Sequence, residues 1–469
     1  MGAVAIPAWP PGNALRRSRA ARPRLGPDGP PGARWRPAGR PASRRNPLKR
    51  PTLPIVFLIL FVDLLGFGLI IPILPAYIKS FAGTPMSYAM VLASYSLMQL
   101  LFNPLWGRLS DRVGRRPVVV VSVLGSVLGF TLFATARSYA MLLAARSLTG
   151  IMNSNIAAAQ SIIADVTPPE HRAKRMGMTG VAFGLGFVFG PALGGLLSRF
   201  SAWGPAPLVR AGEWLVRGDA ARLDLAAPAL LAALLAAAGL VLALGWLPET
   251  NPAHLRRAAR AIGPAQWAAA LGRPEVGLLI LVFFASTFAQ SVSTSMLPLF
   301  LQEHAGTLHF RPDRVAENTG YLMAFVGVMI ALTQGVLIRP LLRVVHEPGL
   351  VVAGTLLMTA SLMWLPYAPA VPPLLGSLSL LALGSGVGTP ALTSLVSRRT
   401  VGAMQGVVLG AAQSMGSFAR FLGPVWGGFT HQHFGHGAPY VTGGACMGLA
   451  FLLSLAATRP VRAPVHAEE

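Results

Sequence analysis

LPIVFLILFVDLLGFGLIIPILPA, Leu53 to Ala76, is an apolar run with one ionisable side chain, Asp63, near its middle. About 20 apolar residues cross a bilayer as a helix, and this run has that length and character. A carboxylate at the centre of such a helix costs at least about 2.5 kcal/mol, so it is kept for a purpose. Gly66 and Gly68 thin the helix, and Pro72 with Pro75 should bend its far end. Asp63 is the first candidate for carrying a proton.

Eleven more apolar segments follow, at about 86–106, 118–136, 139–163, 176–198, 227–247, 276–300, 318–338, 349–367, 371–396, 403–430 and 437–457. The whole chain is 53% hydrophobic and 12% charged, with a mean hydropathy of +0.56. Soluble domains carry roughly 25% charged residues, so lipid is the solvent that fits this composition. The prediction is an all-α membrane protein with twelve transmembrane helices.

A net charge of +23 would suit nucleic acid, but its distribution argues otherwise. Of 39 Lys and Arg, 12 lie in the first 50 residues and most others in alternate loops. With the termini inside, 29 lie on the inner side and 8 on the outer; without the tail the ratio is 17 to 8. The bias places both termini in the cytoplasm. Residues 1–50, with ten Pro and eleven Arg, read as a disordered basic cytoplasmic tail, or as a translation start set too far upstream. The expected organisation continues with a six-helix bundle over 51–247, a cytoplasmic linker over 248–275, a second bundle over 276–458 and a cytoplasmic tail over 459–469.

The two bundles carry a repeated signature. Segment five contains GPALGG, Gly190 to Gly195, and segment eleven contains GPVWGG, Gly423 to Gly428, at the same point of each half. This is the mark of a duplicated six-helix unit. Leu208–Arg217 reads as a short amphipathic helix in the long outer loop.

The loop after segment two is GRLSDRVGRRP, Gly107 to Pro117, which fits GxxxD(R/K)xGR(R/K) at every fixed position. Gly107 and Gly114 would allow close helix approach and a tight turn. Asp111 with Arg112, Arg115 and Arg116 forms a charge cluster, although Arg112 and Arg116 read equally as ordinary inside charge. Through this motif the sequence resembles the major facilitator superfamily, over Leu53 to about Ala457. The resemblance implies two pseudo-symmetric six-helix bundles. It also implies that Asp111 latches onto helix termini of the other half and that Arg115 pairs with the acid ending the fourth helix, here Asp165.

Three further stretches sharpen the likeness. The Asp63 run resembles the first helix of the tetracycline-exporter-like branch of drug:proton antiporters. Arg146 and Gly150 look like the RxxxG motif of proton-driven exporters, and with Asn153 they share one helix face. Gly186, Gly190, Pro191, Gly194 and Gly195 look like the antiporter signature GxxxGPxxGG, which plain helix packing would also explain. Asp63 facing Arg146 would be pulled between burial and an adjacent cation, as a proton carrier requires; a purely structural ion pair is the alternative. Asn153, Gln290, Ser293, Gln413 and Arg420 are candidates for the substrate cavity. Segments three, eight and nine lack the Asp, Glu and His that tetracycline exporters carry there, so another amphiphile is the expected substrate.

These readings converge on a proton-coupled exporter of small drug-like molecules in a bacterial-type inner membrane, working as a monomer since one chain supplies both halves of a pore. The alternative is a carrier for a metabolite such as a sugar, amino acid or organic anion. No enzyme, cofactor or metal site is expected. His431, His433 and His436 fall in an outer loop with no acidic or Cys partner, and no phosphate-binding loop for ATP is present. Cys446 stands alone and reads as a small buried apolar residue.

Overall fold

Each of the twelve apolar segments is helical, in a computed structural model that describes residues 52–153, 155–167, 169–251, 274–400 and 405–457. The expected basic tail, most of the linker and the C-terminal tail lie outside the described residues. Among those described there is no β-strand.

Segment one is α1 (Thr52–Ile70) and a short α2 (Leu74–Lys79). The chain breaks at 71–73, where Pro72 lies and Pro75 opens the next helix. Segments two and three are α3 (Pro85–Val113) and α4 (Arg115–Ala134). Segment four, expected as one helix, is two: α5 (Tyr139–Met152) and α6 (Asn155–Val166). Then come α7 (Pro169–Leu197), α8 (Phe200–Trp203), α9 (Ala206–Val216) and α10 (Ala220–Trp246). The α9 helix is the amphipathic piece expected in the outer loop.

The second half holds α11 (Pro274–Glu303), α12 (Val315–Leu332) continued through a π-turn into α13 (Ile338–Val344), α14 (Glu347–Trp364), α15 (Val371–Arg398), α16 (Gln405–Phe434) and α17 (Ala438–Ala457). Nine helices among the described residues are long and apolar enough to cross a membrane. The exceptions have a physical cause. α3 and α16 pack against each other across the molecule, and a helix that faces protein can carry polar side chains that lipid would exclude. α5 and α6 are short because their segment is broken.

The packing repeats between halves. α1 packs on α7 as α11 packs on α16; α4 on α10 as α14 on α17; α4 on α5 as α14 on α15. Among the described residues, the two largest contacts between the halves are α3 with α16 and α7 with α12. The repeated glycine signature builds both. A Cβ at Gly190 would lie 2.8 Å from the Cα of Gly68 on α1, inside its own half. One at Gly195 would lie 2.8 Å from the Ala316 carbonyl oxygen of α12, in the other half. In the second copy, Gly423 meets Ser291 of α11 and Gly428 meets α3 at Ala89. The same positions therefore make equivalent contacts in both halves.

These cross-contacts cluster at one end of the bundle. There Arg199, just past α7, lies 3.5 Å from Asp313 and 3.6 Å from Glu317 of the other half. Tyr88 of α3 donates a 2.5 Å hydrogen bond to the Ser295 carbonyl of α11. The structure is sealed at the Arg199 end.

Candidate functional site

Asp63 is buried, at 6% exposure, rather than turned to lipid. Its carboxylate accepts from the Asn153 amide at 2.6 Å and the Ser126 hydroxyl at 3.0 Å. Gln99 donates to the Asn153 oxygen at 3.4 Å, so four helices contribute to one polar chain. A small crevice lined by Val62, Ser126 and Gly239 borders the carboxylate.

Asn153 reaches Asp63 because the helix stops there. It is the C-cap of α5, with φ −75° and ψ 58°, outside the helical range. A helix that ends inside the membrane leaves carbonyls without partners, which hydrocarbon cannot satisfy. Here two side chains satisfy them. The Trp106 indole donates to the Ile151 carbonyl at 2.6 Å, and Ser122 donates to that of Met152. Trp106→Phe removes the first cap and should cost about 1–2 kcal/mol of stability, read as a lower unfolding temperature in detergent.

Arg146 is almost wholly buried, at 1% exposure. The expected face-to-face contact with Asp63 is not a hydrogen-bonded pair: among the described residues none of its guanidinium nitrogens has a hydrogen-bond partner. Instead the guanidinium carbon lies 5.2 Å from the centre of the Phe67 ring and 4.8 Å from that of Tyr95. Desolvated cation–π contacts contribute on the order of 2 kcal/mol each, part of what a buried cation loses in leaving water. Tyr95 lies within electrostatic reach of Asp63, Arg146 and Arg420. Gly150 presses against the Tyr95 backbone of α3, which brings α5 close enough for the stack.

The other cavity candidates are less gathered. Arg420 is partly buried and donates to the Ser417 hydroxyl at 2.8 Å. Gln413 is exposed on the same helix, and Gln290 is half-buried; among the described residues neither side chain is hydrogen-bonded to the Asp63 chain. The Ser293 hydroxyl is buried without a hydrogen-bond partner among the described residues.

The loop motif folds back on its own half. Gly114 has φ +119°, a backbone that favours glycine and turns the chain into α4. Arg115 binds Asp111 at 2.5 Å and Asp165 at 3.3 Å. Glu249 caps α4, accepting from the backbone N–H of Arg115 at 2.9 Å and of Arg116 at 3.2 Å. Arg116 donates to the Leu244 carbonyl at 2.6 Å. In this state two expected contacts are not made among the described residues. The hydrogen bonds of Asp111 stay within residues 110–251, and Gly107 has no neighbour that a Cβ would meet.

The histidines need correction. His431 and His433 lie on α16, and His431 Nε2 is 3.2 Å from the Glu303 carboxylate, so an acidic partner exists. His304 and His436 rings pack at 4.2 Å. Burial, with the neighbouring His304, pushes the His436 imidazole below the usual histidine range, against the pull of Glu303. The unfolded chain therefore takes the proton first. This stability contribution is complete above about pH 6.5 and falls as pH drops below it. His436→Asn should flatten that acid limb in a thermal-unfolding series.

The Major Facilitator Superfamily profile matches residues 56–424. The chain belongs to the Major Facilitator Superfamily. It is therefore a membrane carrier and not an enzyme. It is 31% identical to the class E tetracycline resistance protein of Escherichia coli over 387 residues, 80% of this chain and 86% of that one. It is 29% identical to human major facilitator superfamily domain-containing protein 10 over 464 residues, covering 88% and 94%. The crystal structure of that human protein, described as an organic anion transporter, superposes with a TM-score of 0.62 at 26% identity, over 86% of this chain and 98% of that one. A nucleoside transporter at 12% identity superposes with a TM-score of 0.67, which speaks to the fold alone.

Proposed function

We propose that this superfamily member is a proton-coupled antiporter exporting small drug-like or amphiphilic molecules by alternating access. Asp63 is the proton carrier and Arg146 the fixed cation. The observation that carries the reading is the setting of Asp63. It is a buried carboxylate, hydrogen-bonded at a helix break, and Tyr95, one of the two rings that hold the buried Arg146 guanidinium, lies within electrostatic reach of it. A purely structural acid has no need of the broken helix; a group that must exchange with water and cargo does.

The remaining motifs take roles around it. Gly186, Gly190, Pro191, Gly194 and Gly195 set how α7 packs between α1 and α12. Gly107, Asp111, Arg112, Gly114, Arg115, Arg116 and Asp165 form the inner-face cluster, which would engage the other half when that end closes. Asn153, Gln290, Ser293, Gln413 and Arg420 would line the path. Both termini face the cytoplasm of a bacterial-type inner membrane, which makes the sealed Arg199 end the outer one. One chain suffices, as a monomer.

The second reading, a carrier for an organic anion or similar metabolite, has its own support. Arg146 and Arg420 set two guanidinium groups within electrostatic reach of Tyr95, against the one carboxylate of Asp63, and one relative is described as an organic anion transporter. Proteoliposomes separate the two. An exporter moves protons and substrate in opposite directions, so substrate added to one side drives internal pH the opposite way from a symporter. Co-directional movement would favour the metabolite carrier.

A further inference from the structure

The pair α8 and α9 has no part in the Asp63 site, yet the fold holds it in a defined place. α10 has 27 residues and is therefore about 40 Å long, against a hydrocarbon core of about 30 Å. Trp246, half exposed, closes one end as boundary tryptophans do. Counting about 20 residues back from it leaves roughly 220–226 projecting past the hydrocarbon into the headgroup layer.

α9 is fastened to that projecting part. Gly212 lies against Leu223, where a Cβ would come within 2.6 Å of a leucine methyl, and Val216 is buried at 1%. Asp224 fixes α8, accepting from the backbone N–H and the hydroxyl of Ser201, each at 2.7 Å. Depth is thus set by α10, not by the loop.

The outward faces carry a pattern that water does not explain. Leu208 and Leu215, seven residues apart, share one stripe and are 58% and 50% exposed. Trp214, 80% exposed, lies between the exposed Arg210 and Arg217 on the next stripe, and Trp203 is 50% exposed. Two tryptophans and two leucines on two short neighbouring helices are more apolar surface than a soluble face leaves bare. α10, to which they are fastened, itself exposes Leu234, Val241 and Leu244, the kind of surface that meets lipid. A second copy of the chain is a poor occupant: the exposed apolar side chains are Trp203, Leu208, Trp214 and Leu215, far fewer than the roughly 20–30 residues a side of a stable interface.

We propose that α8 and α9 form an interfacial foot that binds phospholipid. Trp203, Leu208, Trp214 and Leu215 sit at the boundary of acyl chains and headgroups, while Arg210 and Arg217 hold phosphate oxygens. The foot would fix the level of the α7–α10 hairpin in the membrane.

Spin labels test this, and the single Cys446 makes it practical. In a Cys446→Ser background, Leu208→Cys, Trp214→Cys and Leu215→Cys are labelled one at a time in the full chain, reconstituted into phosphatidylglycerol–phosphatidylcholine vesicles. Arg311→Cys, at an exposed loop position, serves as the aqueous reference. The ratio of collisions with oxygen to collisions with a nickel chelate should exceed the reference at least about threefold at all three positions. Ratios equal to the reference would overturn the proposal by placing the helix in water. Dipolar broadening that grows with protein-to-lipid ratio would overturn it in favour of a second copy.

Discussion

Asp63→Asn is expected to reduce pH-gradient-driven transport to the background of empty vesicles, with normal amounts of protein in the membrane. The amide keeps the shape: its oxygen accepts from Asn153 and its NH2 donates to the Ser126 oxygen, whose own proton turns to the Ser122 carbonyl, but it cannot take up a proton. The fold should survive, since the change removes a buried charge instead of adding one. Counterflow of substrate without a gradient should persist, because binding and rocking do not themselves consume a proton. Retained gradient-driven transport by Asp63→Asn would sink the assignment. Loss of both activities with normal unfolding temperature would make Asp63 a binding residue instead.

Gly195→Leu should cut transport to below about a fifth while leaving the protein folded. The new Cβ would lie 2.8 Å from the Ala316 carbonyl oxygen and 3.0 Å from the Glu317 Cα, backbone atoms that cannot rotate away. Overpacking of this kind costs about 1–3 kcal/mol, a shift of some 5–150-fold away from the state sealed at the Arg199 end. Distances between spin labels at Trp203 and Arg311 should lengthen accordingly. An unchanged distance distribution with full transport would refute this role for Gly195. Gly190→Ala is the contrast: it presses on Gly68 within one half, so it should lower the unfolding temperature without biasing the two states. The adjacent ion pairs matter less. Partly exposed pairs such as these contribute about 0–1 kcal/mol, so Arg199→Ala should change the transport rate by less than about fivefold.

Much of this was readable because the physics is local. A run of 20 apolar residues needs no partner to be recognised as a span, and a lone acid in it stands out by its cost. The loop motif, the duplicated glycine signature and the α9 helix were legible in the same way, from spacing alone. The break at Asn153 was not. It depends on Trp106 and Ser122, 47 and 31 residues earlier in the chain, arriving beside the carbonyls of α5. Nor was the cap that Glu249 places on the loop motif, since Glu249 lies 134 residues from Arg115. His431 appeared to lack an acid because Glu303 lies 128 residues before it.

The sequence by itself determined the class of this protein: a twelve-segment membrane carrier with a buried acid and a repeated glycine signature, since hydrophobicity and chain geometry act over neighbouring residues. Only the tertiary structure decided which groups hold that acid, that Arg146 stacks on two rings instead of bonding to it, and which glycine touches which half. Those are lateral contacts between helices, and lateral neighbours follow from how six helices pack around each other, which no spacing along one chain specifies.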